Sequence, residues 1–174
     1  MLKGIYRLWL SINSSFWLIT IYGIQKEWNF WIFNKIFIDI ILVLFPIVSS
    51  YLSLLFLKYF STPESTTLSV SEIELADNEF LPTYLGYFFV SLGLEEKYIL
   101  FWIYGLVLLF VFISSMQYFN PIFLLFGYHF YHMTTAQGTK IFVIVKGKAI
   151  RNVSDINLSG LRRLNNTSYI GWRL

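Results

Sequence analysis

Apolar residues along this chain come in two textures. Over the first two-thirds they form four long blocks, at 8–24, 36–57, 80–94 and 98–116; over the last third they break into short mixed runs. A helix needs about 20 mostly apolar residues to cross a bilayer core, so the blocks are expected to be four transmembrane helices. The first carries no charge, and the second is interrupted by Asp39 and Pro46. The third is short and holds Gly86 and Gly93, and the fourth is the most uniform. Glu95, Glu96 and Lys97 make the polar corner of an antiparallel helical hairpin between the last two. Lys3 and Arg7 precede the first block like the basic start of a signal peptide; no small-residue cleavage site follows, and the block reads as an uncleaved anchor.

The texture changes at Asn120-Pro121, because a residue before proline avoids the α region and the fourth helix ends there. "IFLLF" (122–126) can still lie along a membrane surface. Beyond it, "GYHFYHMTT" and "TKIFVIVKG" flank Ala136-Gln137-Gly138, which predicts a β-hairpin over 128–146. A lone hairpin is marginal in water. "TTLSVSEIEL" (66–75), in the loop at 58–79, has the alternation of a third strand. That loop has a net charge of −4 and residues 117–174 one of +6, so charge favours their pairing. The competing reading is a solvated acidic loop. Ser154-Asp155 opens a short helix or loop toward Arg162-Arg163, and "TSYIGWRL" (167–174) supplies a further strand. The expected fold is therefore an α-helical membrane protein: a four-span domain at 1–119 and a small, basic, cytoplasmic β-rich module at 120–174.

Four spans place both termini on one side. That side, with the 58–79 loop, would hold ten of the thirteen Lys and Arg residues, leaving Lys26, Lys35 and Lys97 opposite. Positive charge is retained inside, which makes both termini cytoplasmic. Trp28, Phe30, Trp31, Tyr59, Phe60, Tyr118 and Phe119 gather near the block ends, as headgroup anchors do.

Composition agrees. The chain is 56% hydrophobic and 21% aromatic, and only 13% charged against about 25% in soluble domains. With no cysteine, disulfides, thiolate metal sites and thiol nucleophiles are excluded. His129 and His132 are the only histidines, and on a strand their odd spacing sends them to opposite faces, away from a joint metal site. No phosphate loop, Ser-His-Asp set or HExxH occurs, and neither metal nor cofactor is expected. Asp39 is the one ionisable residue inside a block; it sits about a turn from the helix start, where it reaches the interface, or else makes a polar contact between helices. Ser49, Ser50, Ser53, Gly86, Gly93 and Gly105 permit close helix contact, which ordinary packing explains equally well. Lys146, Lys148, Arg151, Arg162 and Arg163 form the candidate docking set. Anionic lipid headgroups come first as their partner, at about 1 kcal/mol per residue. An acidic protein surface comes second and nucleic acid third, since no nucleic-acid motif accompanies them.

Two stretches, "ADNEFLPTYLGYFFVSL" (76–92) and "QYFNPIFLLFGYHFYHMTTAQGTKIFVIVKGKAIRN" (117–152), together with the four-block layout, resemble the KwaA family, the membrane subunits of the bacterial Kiwa anti-phage system. Members have a Lys/Arg-richer segment where this chain reads "VKGKAIRN". The resemblance implies a non-enzymatic bacterial inner-membrane protein, a homo-oligomer and by family type a tetramer. It would sense phage attack and recruit a cytosolic DNA-binding subunit, KwaB, so that nucleic acid is met only through that partner. The alternative is a small ion channel or holin-like pore. A lumen needs polar residues along one helix face, and Asn13, Ser14, Ser15 and Thr20 are the ones on offer in the first block. A membrane enzyme ranks third, for want of paired polar groups at one depth.

Overall fold

A computed structural model of the chain describes residues 2–28, 34–63, 69–114, 120–147, 150, 161–165 and 167–172. They fall into two units, Met1–Ser53 with Glu79–Asn120, and Leu54–Asn78 with Pro121–Leu174.

The first unit is helical. It contains α1 (Leu2–Gln25), most of α2 (Lys35–Phe60), α3 (Leu81–Gly93) and α4 (Lys97–Ser114). α1 packs on α3 and α4, where Leu18 and Tyr22 meet Tyr87, Leu94 and Leu100 in one cluster. Its approach to α2 is close: a Cβ on Gly23 would lie 2.8 Å from a Leu42 methyl. Pro46 sits inside α2, and proline has no N–H to offer the carbonyl four residues back, at Leu42. Thr20 of α1 donates its hydroxyl to that same Leu42 carbonyl at 3.0 Å, so one helix repairs the gap in the other.

The four-span expectation is corrected here. Among the described residues only two helices, over Lys35–Leu57 and Lys97–Ser114, are long and apolar enough to cross a membrane. α3 has 13 residues, about 20 Å at 1.5 Å per residue, short of a core about 30 Å thick. α1 has 24 residues and the length, but carries Arg7, Ser11, Asn13, Ser14, Ser15 and Thr20. Among the described residues the chain has five helices and a six-stranded mixed sheet, and it is not a four-span helical protein. Phe30, Trp31, Tyr118, Phe119 and the 154–155 stretch lie outside the described residues.

The second unit holds that sheet. Its strands are β1 (Thr62–Pro63), β2 (Val70–Leu75), β3 (Tyr128–Thr135), β4 (Lys140–Lys146), β5 (Arg162–Arg163) and β6 (Ser168–Trp172), in the order β1-β5-β6-β4-β3-β2. All pairs are antiparallel except β4–β6. The hairpin expected over 128–146 is β3–β4, closed at a turn where Gly138 takes φ +80°, a region that favours glycine. The strand expected in the loop is β2, and it pairs with β3. Charge does not hold that pair, because Glu72 and Glu74 face Thr134 and His132, while Val70 and Ile73 pack on the core. β4 reads as an unbroken apolar run because both of its faces are covered. On one face Tyr131, Met133, Val143, Val145 and Tyr169 meet Ile150 and Leu161. On the other, Phe130 and Phe142 stack at 5.9 Å, and Phe123 of the short helix α5 (Ile122–Leu125) lies 6.4 Å from Phe130.

Candidate functional site

In the helical unit the polar side chains face inward. Ser53 is the hub: its hydroxyl accepts from Trp9 Nε1 at 2.7 Å and from Asn13 Nδ2 at 2.8 Å, and donates to the Ser49 carbonyl at 2.9 Å. Ser49 in turn donates to Asn13 Oδ1 at 2.6 Å, and Tyr6 donates to the Ser53 carbonyl at 2.8 Å. Ser14 and Ser15 donate to the Ser11 carbonyl, Tyr84 donates to the Ser14 carbonyl, and Ser91 donates to the Leu18 carbonyl. Every polar residue that a lumen through the first block would use is therefore bonded inside the unit. Small hydroxyl and amide residues at such seams let helices approach and bond where no water competes.

The outward surface is the reverse. Ile40, Leu44, Phe45 and Val48 on α2, Phe88 and Phe89 on α3, and Phe101, Leu106, Phe110 and Ile113 on α4 are all exposed. Only 11% of the apolar α4 window is buried, so α4 is no interior helix of a water-soluble core. Soluble monomers rarely expose apolar patches beyond a few hundred Å². Asp39, in the second turn of α2, is half-buried, and its Oδ1 is shielded without a hydrogen-bond partner among the described residues.

The candidate basic set does not form one patch. Lys148 and Arg151 lie outside the described residues. Lys146, opposite both Tyr128 and Trp172, and Arg162, opposite Ile170, project to one sheet face, and Arg163, opposite Tyr169, to the other. Arg162 serves the fold: its Nε donates to Ser61 Oγ at 2.7 Å and a terminal nitrogen to the Ser61 carbonyl at 2.9 Å. Arg163 is exposed and donates to the Asn165 carbonyl at 3.0 Å. No spacing rule could have found the Ser61 clamp, because its partners stand 101 positions apart.

The chain matches the family described as "Anti-phage protein KwaA" over residues 6–170. The chain belongs to the KwaA family. No curated protein and no solved structure matches it. Within this KwaA chain the histidines stand apart, as their spacing requires. His132 faces the Phe142 ring, while His129 Nδ1 meets Asp77 Oδ2 at 2.7 Å. The other oxygen of Asp77 accepts from the Phe130 amide at 2.7 Å. This pair ties the segment after β2 to β3 and went unnoticed in the sequence, where Asp77 counted only as loop charge.

Proposed function

We propose that this KwaA-family chain is a non-enzymatic sensor and scaffold of anti-phage defence, lodged in the bacterial inner membrane through its helical unit. The observation that carries the reading is the inverted helical unit, with polar groups bonded inside and large apolar side chains outside, an arrangement suited to lipid and not to water. The sheet unit stands in the cytoplasm. The net +6 of residues 117–174 supports that side by the positive-inside rule, and β2 follows because it pairs with β3. The apolar helix faces also supply the contacts of a homo-oligomer, a tetramer by family resemblance. The sheet unit docks a cytosolic DNA-binding subunit of KwaB type, and Arg163 is one of the exposed cations on the surface it offers. The pore reading loses support because Asn13, Ser14, Ser15 and Thr20 are spent on hydrogen bonds between and within helices.

The test is co-expression with the KwaB-type subunit, detergent extraction and capture on the tagged membrane chain. Arg163→Glu reports docking without disturbing the Ser61 clamp; Arg162 is unsuitable because its loss confuses folding with binding. Capture by the parent chain and its loss in Arg163→Glu, at equal membrane yield, is the expected result. Absence of capture by the inserted parent chain sinks the scaffold reading, and undiminished capture by Arg163→Glu removes that residue from the docking face.

A further inference from the structure

At the open end of the β3–β4 hairpin an apolar corner meets a cation. Phe123 is fully buried against Tyr128 and Phe130, its ring 6.4 Å from each, and this pins α5 to the sheet. Pinned that way, α5 turns Leu125 outward, where it is 74% exposed, with Phe126 half-buried beside it. Gly127 then takes φ +74°, and its carbonyl accepts from the Gly147 amide at 3.0 Å, so the turn after α5 is bonded to the end of β4. Lys146, the neighbour of Gly147, is exposed and holds its ammonium 5.5 Å from the centre of the Tyr128 ring.

We infer that this corner, Leu125 and Phe126 with Tyr128 and Lys146, rests on the headgroup layer of an anionic bilayer. The leucine enters the acyl boundary, and the lysine lays its stem along apolar surface with its ammonium on lipid phosphates. One exposed leucine is ordinary by itself. Here it adjoins an aromatic ring and a cation in a stretch of net charge +6, which matches an anionic surface. The inference rests on the reading of α4 as lodged in the bilayer. Seven residues separate Ser114 from Ile122, so a bilayer that holds α4 keeps the corner within about 28 Å of that helix end. The other end of the hairpin, at Ala136–Gly138, lies about 27 Å from the corner along β3. The proposed contact is at the α5 end of the hairpin and not at its turn.

The absence of cysteine makes the test clean. Single cysteines replace Leu125, Gln137 or Leu106, each exposed, and carry a nitroxide in nanodiscs of phosphatidylcholine with or without phosphatidylglycerol. Collision with oxygen reports lipid and collision with a nickel chelate reports water. The label at 106 should favour oxygen and the label at 137 nickel. The label at 125 should favour oxygen in the anionic discs, and Lys146→Gln should lower its immersed-to-aqueous ratio there about fivefold. A label at 125 as nickel-accessible as that at 137 overturns the inference, and so does indifference to phosphatidylglycerol. Shielding of position 125 from both reagents also overturns it, since that marks cover by a second copy or another protein. Water exposure at 106 removes the membrane reading itself, whereas a lipid-facing 106 with an aqueous 125 removes only the headgroup contact.

Discussion

The two units of this chain follow opposite packing rules. The helical unit keeps Ser11, Asn13, Thr20 and Ser49 inside beside Leu18 and Tyr22, and turns Ile40, Leu44 and Phe101 out; the sheet unit buries Tyr131, Val143 and Ile144 and leaves Ser71, Glu72 and Glu74 at its edge. Residue type alone does not decide the fate of a side chain. Ser53 is buried with its hydroxyl bonded, while Ser71 stands exposed on β2. Leu106 is open on α4, while Leu161 closes the sheet core. The proposed function gives each unit its own solvent, hydrocarbon for one and water for the other.

Substitutions that invert these rules have opposite consequences in the two units. The largest effect falls in the sheet core. Tyr131→Ala removes a fully buried ring and the oxygen that accepts the Ile150 amide, so chemical denaturation should show a loss of about 3–5 kcal/mol; Tyr131→Phe should lose about 1 kcal/mol. Next is a charge on the outer face of a helix. Leu109→Asp should raise the insertion free energy by about 3 kcal/mol and deplete the membrane fraction, whereas Ala136→Asp on the exposed hairpin turn should shift stability by less than about 0.5 kcal/mol. Equal tolerance of the two would erase the contrast between the units.

Smaller effects sharpen it. Arg162→Ala breaks two charge-assisted bonds to Ser61 and should destabilise the sheet unit by about 1.5–3 kcal/mol, against about 0.5 kcal/mol or less for Arg163→Ala in the same melting experiment. Thr20→Val orphans the Leu42 carbonyl beside Pro46 and should weaken the helical unit by about 1 kcal/mol. With Pro46→Ala, Leu42 regains a backbone donor, so Thr20→Val should lose most of its effect; additive effects in unfolding from detergent micelles would show that the two residues do not share that carbonyl.

Where the helices and strands begin was largely legible, because periodicity and breakers are local. All four apolar blocks hold helices, "AQG" marks the hairpin turn, and "VSEIEL" is a strand. The span count was not, because apolar length says nothing of which residues face inward. Asn13, Ser14 and Ser15 look like breaks in an oily helix until Ser49 and Ser53 are placed beside them. Pro46 and Thr20 each stand out alone, yet only the fold joins them at one carbonyl. The candidate basic residues were read as one cluster; strand alternation places Arg162 and Arg163 on opposite faces, and Ser61 claims the first.

Single-cysteine alkylation in cytoplasm-out vesicles tests the contrast between the units most directly. A charged maleimide reacts with thiolate, which does not form in hydrocarbon. Cysteines at Glu72 and Gln137 should be modified at once, and cysteines at Phe45 and Leu109 only after detergent is added. Prompt modification at Phe45 and Leu109 in sealed vesicles would contradict the account.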